Sequence, residues 1–470
     1  MEKQVQHNFI YNLAYQLLVM LVPLVTAPYV SRVLGPENLG IYEYTLSISA
    51  YFILFGTIGS ALYGQRQVAY CKEDGKAVSK LFWELFAVRS LGMLLMMALF
   101  GLCFVLQGNV YRVYFGILLL ELLGALVDIS WFFQGLERFK VTILRNSIVK
   151  LVSVVAIFAF VKSAGDLKIY FWIYVLSIVL GNLSLWCNLP GLLHRVAFRE
   201  LELRPHLRPM LRLFLPQIAV QIYTVFDKTM LGLLLPEKSQ VGFYGQAQKL
   251  IKTVISLVTA LGTVMLPHIA GQFAKGDEKA VKESIYRSFR IVSFLAFPLV
   301  FGLMVVAPSF VPCYYGPGYE PVIGLLRLGA VIIYFIGLSN VVGIQFLLPT
   351  NREKQYTISV LLGSGINFLL NLFLIPFWGA LGATLATVLA ECSVTVAQMV
   401  MTRKDLDYRR VGKSVLGYLV VGLVMFGVCY LTESLLRPGL FCLLVQLAVG
   451  AGVYLTGAAL LYRRFYIKWK

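Results

Sequence analysis

The sequence predicts an all-α integral membrane protein of about 14 transmembrane helices, built as two six-helix lobes related as parallel repeats with two further helices at the C-terminal end. Three observations predict it. Hydrophobic residues make up 59% of the 470 positions and charged residues only 14%, with a mean hydropathy of +0.78, more apolar surface than a soluble core can hide. Apolar runs of about 18 to 25 residues recur from end to end, each long enough to cross a hydrocarbon core of roughly 30 Å as a helix. Unusual turn sequences in the first half are echoed in the second.

Taken in order, the expected spans of the first set run approximately Phe9 to Val30, Gly40 to Tyr63, Leu81 to Leu106, Tyr114 to Phe133, Val141 to Val161, Ile169 to Leu189 and Phe214 to Leu235. The second set runs Ala247 to Ala270, Phe289 to Tyr314, Val322 to Leu348, Thr357 to Phe377, Ala380 to Met401, Val415 to Leu431 and Phe441 to Tyr462. Alternating ten-residue segments of a membrane barrel are not seen in the sequence, so helices must satisfy the backbone hydrogen bonds that lipid cannot. The first span lacks the short apolar core and small-residue cleavage site of a signal peptide and reads as a retained helix.

Charge orients the bundle. One set of loops holds Lys3; Arg66, Lys72, Lys76 and Lys80; Arg138, Lys140 and Arg145; and Arg195, Arg199, Arg204, Arg208 and Arg212. It continues with Lys275, Lys279, Lys282, Arg287 and Arg290; Arg352 and Lys354; Arg403, Lys404, Arg409, Arg410 and Lys413; and the tail Arg463, Arg464, Lys468 and Lys470. That is about 29 of the 41 basic residues, against about six (Arg32, Arg112, Lys162, Lys168, Lys238 and Arg437) in the opposite loops, which places both termini in the cytoplasm. The same spread argues against reading the +18 net charge as a nucleic-acid footprint, because no single module gathers it.

Other chemistries find no motif. Most of the seven cysteines, Cys103, Cys187, Cys392, Cys429 and Cys442 among them, lie within or at the ends of apolar spans and imply no disulfide framework. The four histidines have no partners at metal-ligand spacing, and a Walker A loop is missing, so neither a metal, a cofactor nor ATP hydrolysis is expected.

The echoes suggest a duplication. Pro36 and Glu37 precede Gly40 and Tyr42, as Pro236 and Glu237 precede Gly242 and Tyr244; QGLERFKVT from Gln134 answers PTNREKQYT from Pro349. Because six is even, the seventh helix crosses in the same direction as the first, making the repeats parallel. The expected organisation is a lobe at 1–195, a basic cytoplasmic linker at 196–212, a second lobe at 213–402 and two helices with a basic tail at 403–470.

APYVSRVLGPENLGIYEY, GTIGSALYGQRQVAY, DISWFFQGLERFK, VFDKTMLGLLLPEKSQVGFYGQAQKL and NFLLNLFLIPFWGALGATLAT together resemble the polysaccharide transporter and O-antigen flippase family of the multidrug, oligosaccharidyl-lipid and polysaccharide (MOP) exporter superfamily. The resemblance spans the chain from the first helix to about the twelfth. It implies a V-shaped, MATE-like exporter in a bacterial inner membrane, turning undecaprenyl-pyrophosphate-linked oligosaccharide from the inner to the outer leaflet. The partners expected are that lipid-linked cargo, a coupling cation (H+ or Na+), and glycan polymerase and assembly proteins; the chain reads as a monomer and not as an enzyme, among anionic lipids that its basic loops favour.

The physics of such cargo gives the candidate residues. Carrying a pyrophosphate through hydrocarbon has an idealised cost of tens of kcal/mol, most of which a wet cationic cavity removes. Basic residues inside or at the mouths of spans are therefore the candidate substrate contacts: Arg32, Arg66, Arg89, Lys150, Lys228, Lys249, Lys252 and Arg327. Those near interfaces have snorkelling as their alternative. The intramembrane acids Glu121, Asp128, Asp227 and Glu391 read as structural partners of these bases, as ligands of a coupling cation (H+ or Na+), or as a gate. Asn367 and Asn371, one turn apart, serve either a sugar or helix packing, while Trp131 and Phe132 read as interfacial aromatics. The alternatives are a lipid II flippase, a cation-coupled multidrug exporter, and a membrane glycosyltransferase or polymerase, which should expose a larger catalytic loop.

Overall fold

The computed structural model describes residues 2–466, with side chains described from 22 to 461 apart from positions 198, 215, 216, 219, 220, 222, 223, 263, 264 and 414. The basic residues Lys3, Arg463, Arg464, Lys468 and Lys470, and part of the first expected span, lie outside the described side chains.

Among the described residues the chain is helical without strands. The first half contains α1 (Glu2–Thr57), α2 (Ser60–Cys71), α3 (Gly75–Phe100, continued as a π-helical turn over Gly101–Leu106), α4 (Arg112–Leu126), α5 (Ser130–Gly135), α6 (Phe139–Phe160), α7 (Leu167–Trp186) and α8 (Arg204–Leu234). The second contains α9 (Ser239–Ala274), α10 (Glu278–Tyr314), α11 (Pro321–Gly329), α12 (Val331–Ser339, followed by π-helical Asn340–Leu347), α13 (Glu353–Met401), α14 (Tyr408–Leu435) and α15 (Leu440–Tyr466).

Eleven helical segments of the described residues are long and apolar enough to cross a membrane. Two of them are broken: α1 at Gly35 (φ 76, ψ 170) and α13 at Gly379 (φ 56, ψ −131), backbone conformations that favour glycine. Dividing both gives thirteen crossings; the expected span from Phe214 to Leu235 lies in α8, which is not one of the eleven. Pro36 follows the first break, where its missing N–H costs nothing at a helix start. At the second, Gln240 Oε1 accepts from the Ala380 N–H at 3.1 Å.

The repeated turns fall on breaks. Pro36–Glu37 follows the interruption of α1, and Pro236–Glu237 lies between α8 and α9. In the second echo, Glu137 (φ 59) and Asn351 (φ 60) take the left-handed conformation, each two residues before a helix start. The next residue closes the same wide turn in both: Arg138 N–H to Phe133 O at 2.8 Å, and Arg352 N–H to Leu347 O at 2.9 Å.

Packing separates the chain into two compact units, Met1–Thr229 and Met230–Lys470. The division falls inside α8, and the basic stretch expected as a linker is largely structured: from Arg204 onward it is the first turns of that helix. In the first unit Val68, Phe82, Leu85, Trp131, Phe132 and Phe133 are buried in one core cluster. Trp131 and Phe132 are thus interior, not interfacial, because the helix ends at Leu126 and restarts as the short α5, which packs on α2. Gly64 makes room for the indole, since a Cβ there would stand 2.5 Å from Trp131 Cε3. In the second unit α14 and α15 pack on α10 through Val305, Met425, Cys429 and Tyr454, with the Tyr454 hydroxyl donating to Phe294 O at 2.8 Å.

Candidate functional site

Glu43, Ser47 and Tyr51 recur every fourth residue in the second half of α1, so they share one helix face. α8 meets that face with two consecutive polar residues. Lys228 Nζ donates to Glu43 Oε2 at 2.7 Å, and Thr229 Oγ1 lies 2.9 Å from Ser47 Oγ and 3.3 Å from Tyr51 Oη. The Glu43 side chain is 7% exposed and that of Lys228 20%. Asp227, beside Lys228 in sequence, is buried, but the lysine reaches the carboxylate 185 residues away.

A second carboxylate stands on α4. Glu121 is buried and accepts from Ser49 Oγ at 2.7 Å and from Tyr174 Oη at 2.8 Å. Tyr42, next to Glu43, packs its ring against Tyr170, Phe171 and Tyr174 at centroid distances of 4.8, 5.1 and 5.7 Å. The first unit thus holds hydroxyls and the Glu43 and Glu121 carboxylates inside apolar helices, where each polar atom needs a partner.

Arg89 is used differently. It is buried on α3, and its Nε and Nη2 donate to Ala125 O at 2.9 and 2.7 Å, while Nη1 donates to Ser60 Oγ at 3.2 Å. Asp128 Oδ2 lies 3.5 Å from Nη2, and its other oxygen accepts from the Ser130 N–H. Nearby, Asn182 Nδ2 donates to Gly124 O and Trp186 Nε1 to Val127 O, both at 2.8 Å. Three side chains therefore satisfy the carbonyls released where α4 ends inside the bundle.

The other expected bases are more dispersed. Arg32, Arg66, Lys249 and Lys252 are exposed, with the Arg66 guanidinium 6.0 Å from the Tyr63 ring centroid. Arg327 is exposed as well, donating to Met304 O at 3.2 Å and to Glu433 of α14 at 3.5 Å. Lys150 is half-buried on α6 and makes no hydrogen bond or ion pair among the described residues. In the second unit Glu391 is buried, and buried Asn371 donates to buried Asn367 at 3.1 Å.

Two carboxylates escaped the sequence reading. Glu43 is one; the other is Glu84 of α3, whose Oε2 lies 2.9 Å from His206 Nε2 while Oε1 accepts from the Glu202 N–H at 2.8 Å. His206 Nδ1 in turn meets Tyr63 Oη at 3.0 Å, so the entry to α8 is pinned to α2 and α3. Outside the spans, Arg352 donates two hydrogen bonds to Asp405, at 2.6 and 2.9 Å, and these hold the Asp405 carboxyl below the usual carboxylate range. No group of three or more His, Cys, Asp or Glu able to hold a metal occurs among the described residues.

The chemical capacity of these sites differs. A buried guanidinium committed to one carbonyl, a hydroxyl and a nearby carboxylate has little to offer a ligand, whereas a partly exposed ammonium held by one carboxylate can exchange that partner for another anion.

Comparison with known proteins bears on the family and the fold. A family model described as "Polysaccharide biosynthesis protein" matches residues 5–272. A protein of Escherichia coli (strain K12) named "Putative O-antigen transporter" is 26% identical over 407 residues, covering 85% of this chain and 97% of its own. Among solved structures, a lipid II flippase MurJ in an inward closed conformation superposes with a TM-score of 0.71 at 18% identity, over 97% of this chain and 99% of the other. An inward-facing multidrug resistance MATE family transporter of the MOP superfamily gives 0.63 at 13% identity, over 84% and 94%. The chain is similar to both in fold.

Proposed function

The chain belongs to the polysaccharide biosynthesis protein family, and from that premise we propose that it is a flippase carrying lipid-linked oligosaccharide, a surface polysaccharide precursor, from the inner to the outer leaflet by alternating access. Similarity to the E. coli protein along nearly its whole length supports the reading, as does the shared fold of two transporters.

The observation that carries it is the Lys228–Glu43 pair. Glu43 and Lys228 meet at one 2.7 Å contact, with the lysine one-fifth exposed. A pyrophosphate brings more charge than the carboxylate it displaces, so cargo captures the ammonium and frees Glu43. Ser47, Tyr51 and Thr229 then offer hydroxyls to sugars, and Lys150 supplies a second cation. Arg32, Arg66, Lys249, Lys252 and Arg327 guide the anion at the ends of the spans. Asn367 and Asn371 contact sugar or join helices, while Glu121, Asp128, Asp227 and Glu391 take up protons, bind a coupling cation or gate.

The multi-pass chain sits, on this reading, in a bacterial inner membrane with both termini cytoplasmic, acting without catalysis as a monomer beside a glycan polymerase and assembly proteins. An inside-negative potential favours outward passage of an anion by about 2.3 kcal/mol per charge per 100 mV, enough to drive export without a coupling ion. The test is deletion of the gene followed by mass spectrometry of lipid-linked oligosaccharides. Cargo should accumulate, the intact gene should clear it, and Lys228→Ala should leave turnover at least tenfold slower with the protein still in the membrane. Lipid II accumulating in place of an oligosaccharide precursor would assign the chain to that cargo instead.

A further inference from the structure

A groove of about 780 Å³ runs between α6 and α7. Leu144, Ile148 and Val152 of α6 face Trp172, Leu176 and Leu180 of α7 along it, all of them exposed. Smaller residues line it between these, Ser153, Ser177 and Gly181 among them, and a Cβ on Gly181 would stand 3.0 Å from Val149, so the helices meet there.

One end differs in chemistry. Lys140 and Arg145 line it together with Ser184 and Asn188, and no carboxylate is among the described lining residues. Arg145 Nη1 donates to Asn182 Oδ1 at 2.9 Å, and Asn182 is itself anchored to Gly124 O at 2.8 Å, which fixes the guanidinium. Lys140 is exposed and has no hydrogen bond or ion pair among the described residues.

We propose that this groove binds an anionic glycerophospholipid, its phosphate against Lys140 and Arg145 and an acyl chain along the α6–α7 furrow. The charge is complementary at one end only, which gives the ligand a single headgroup on the side of the basic loops. A leaflet's chain covers half of a hydrocarbon core of roughly 30 Å, about ten residues of helix. From Arg145 that reaches to about residue 155, within the α6 wall, which is lined from Lys140 to Phe160. A zwitterionic lipid places its own cation against the same two side chains and gains less. The site is separate from the Lys228–Glu43 pair and stands whether or not the cargo assignment does.

Native mass spectrometry of the full chain, released from nanodiscs holding equal phosphatidylglycerol and phosphatidylcholine of matched chains, tests it. The native protein should retain phosphatidylglycerol selectively. Lys140→Gln should cut that selectivity about fivefold, and Lys140→Gln with Arg145→Gln about 30-fold, as expected for two cations near an anionic headgroup. Ser177→Phe, which fills the furrow and keeps both cations, should remove the bound lipid too. Equal retention of both lipids, selectivity unchanged in Lys140→Gln, or displacement of phosphatidylglycerol by equimolar polyprenyl phosphate would each overturn the proposal.

Discussion

Arg89 and Lys228 are both intramembrane cations of the first unit, and their hydrogens are spent on different things. Arg89 directs two donors at the Ala125 carbonyl and one at Ser60, so it closes the end of α4. Lys228 directs one at Glu43 and keeps a partly exposed face. Arg89→Ala removes one member of a buried charged network and should destabilise the protein by about 3 to 5 kcal/mol. The readout is a lower thermal midpoint in detergent and lower abundance in the membrane; an unchanged midpoint with lost transport would move Arg89 to the cargo path. The depth of both residues is legible in the sequence, because a base inside an apolar run is rare. Their directions were hidden: Glu43 lies in a span whose average hydropathy one acid hardly lowers, and its partner is 185 residues distant. The burial of Trp131 was hidden for a related reason, since nothing local in DISWFFQGLE says that the helix stops at Leu126 and restarts under α2.

At the level of elements, the turns proved more legible than the helix count. Gly35 and Gly379 sit where the backbone takes positive φ, and Glu137 and Asn351 hold that conformation in the two turns whose sequences echo each other. Both turns are stabilised by the same backbone closure, so the echo has a geometric cause: each stops one helix and starts the next within a few residues. A similar closure occurs at Gly276, so the motif alone marks a helix stop and not a duplication. The turn at Asn351 is also tied to the next loop by the Arg352–Asp405 clasp. Because Arg352 lowers the Asp405 pKa in the folded state, the clasp contributes in full above the unfolded value of about 4 and fades as the pH falls through the depressed one. The two side chains are about a third exposed, so the contribution after solvent screening is about 0.5 to 1 kcal/mol. Thermal melts of the native protein and Asp405→Asn should therefore be parallel and flat between pH 6 and 8, with the variant slightly lower. Below about pH 4 the difference should close; a difference that instead widened on acidification would contradict the assignment.

For the whole molecule, the strongest constraint is that each loop must lie on one side of the membrane or the other. Apolar length fixes the helices, and the expected all-helical MOP-like fold agrees with superposition on solved transporters. The expected spans already part at Gly35 and Gly379, where the two long helices are broken. The π-helical turns after α3 and α12 and the continuation of the basic stretch directly into α8 leave no mark in hydropathy, because neither ends an apolar run. Sidedness rests on a different signal, the accumulation of Lys and Arg in alternate connections. If those connections are cytoplasmic, the turn between α9 and α10 faces inward and that between α3 and α4 outward. In a background with the seven native cysteines replaced, Gln107→Cys and Lys279→Cys place single thiols at exposed positions, one in the α3–α4 connection and one in the first turn of α10 beside the α9–α10 turn. A membrane-impermeant maleimide should label Gln107→Cys in cells with an intact inner membrane, and should reach Lys279→Cys only after permeabilisation. Labelling in the reverse order would invert the molecule, and with it the direction in which the membrane potential assists an anionic cargo.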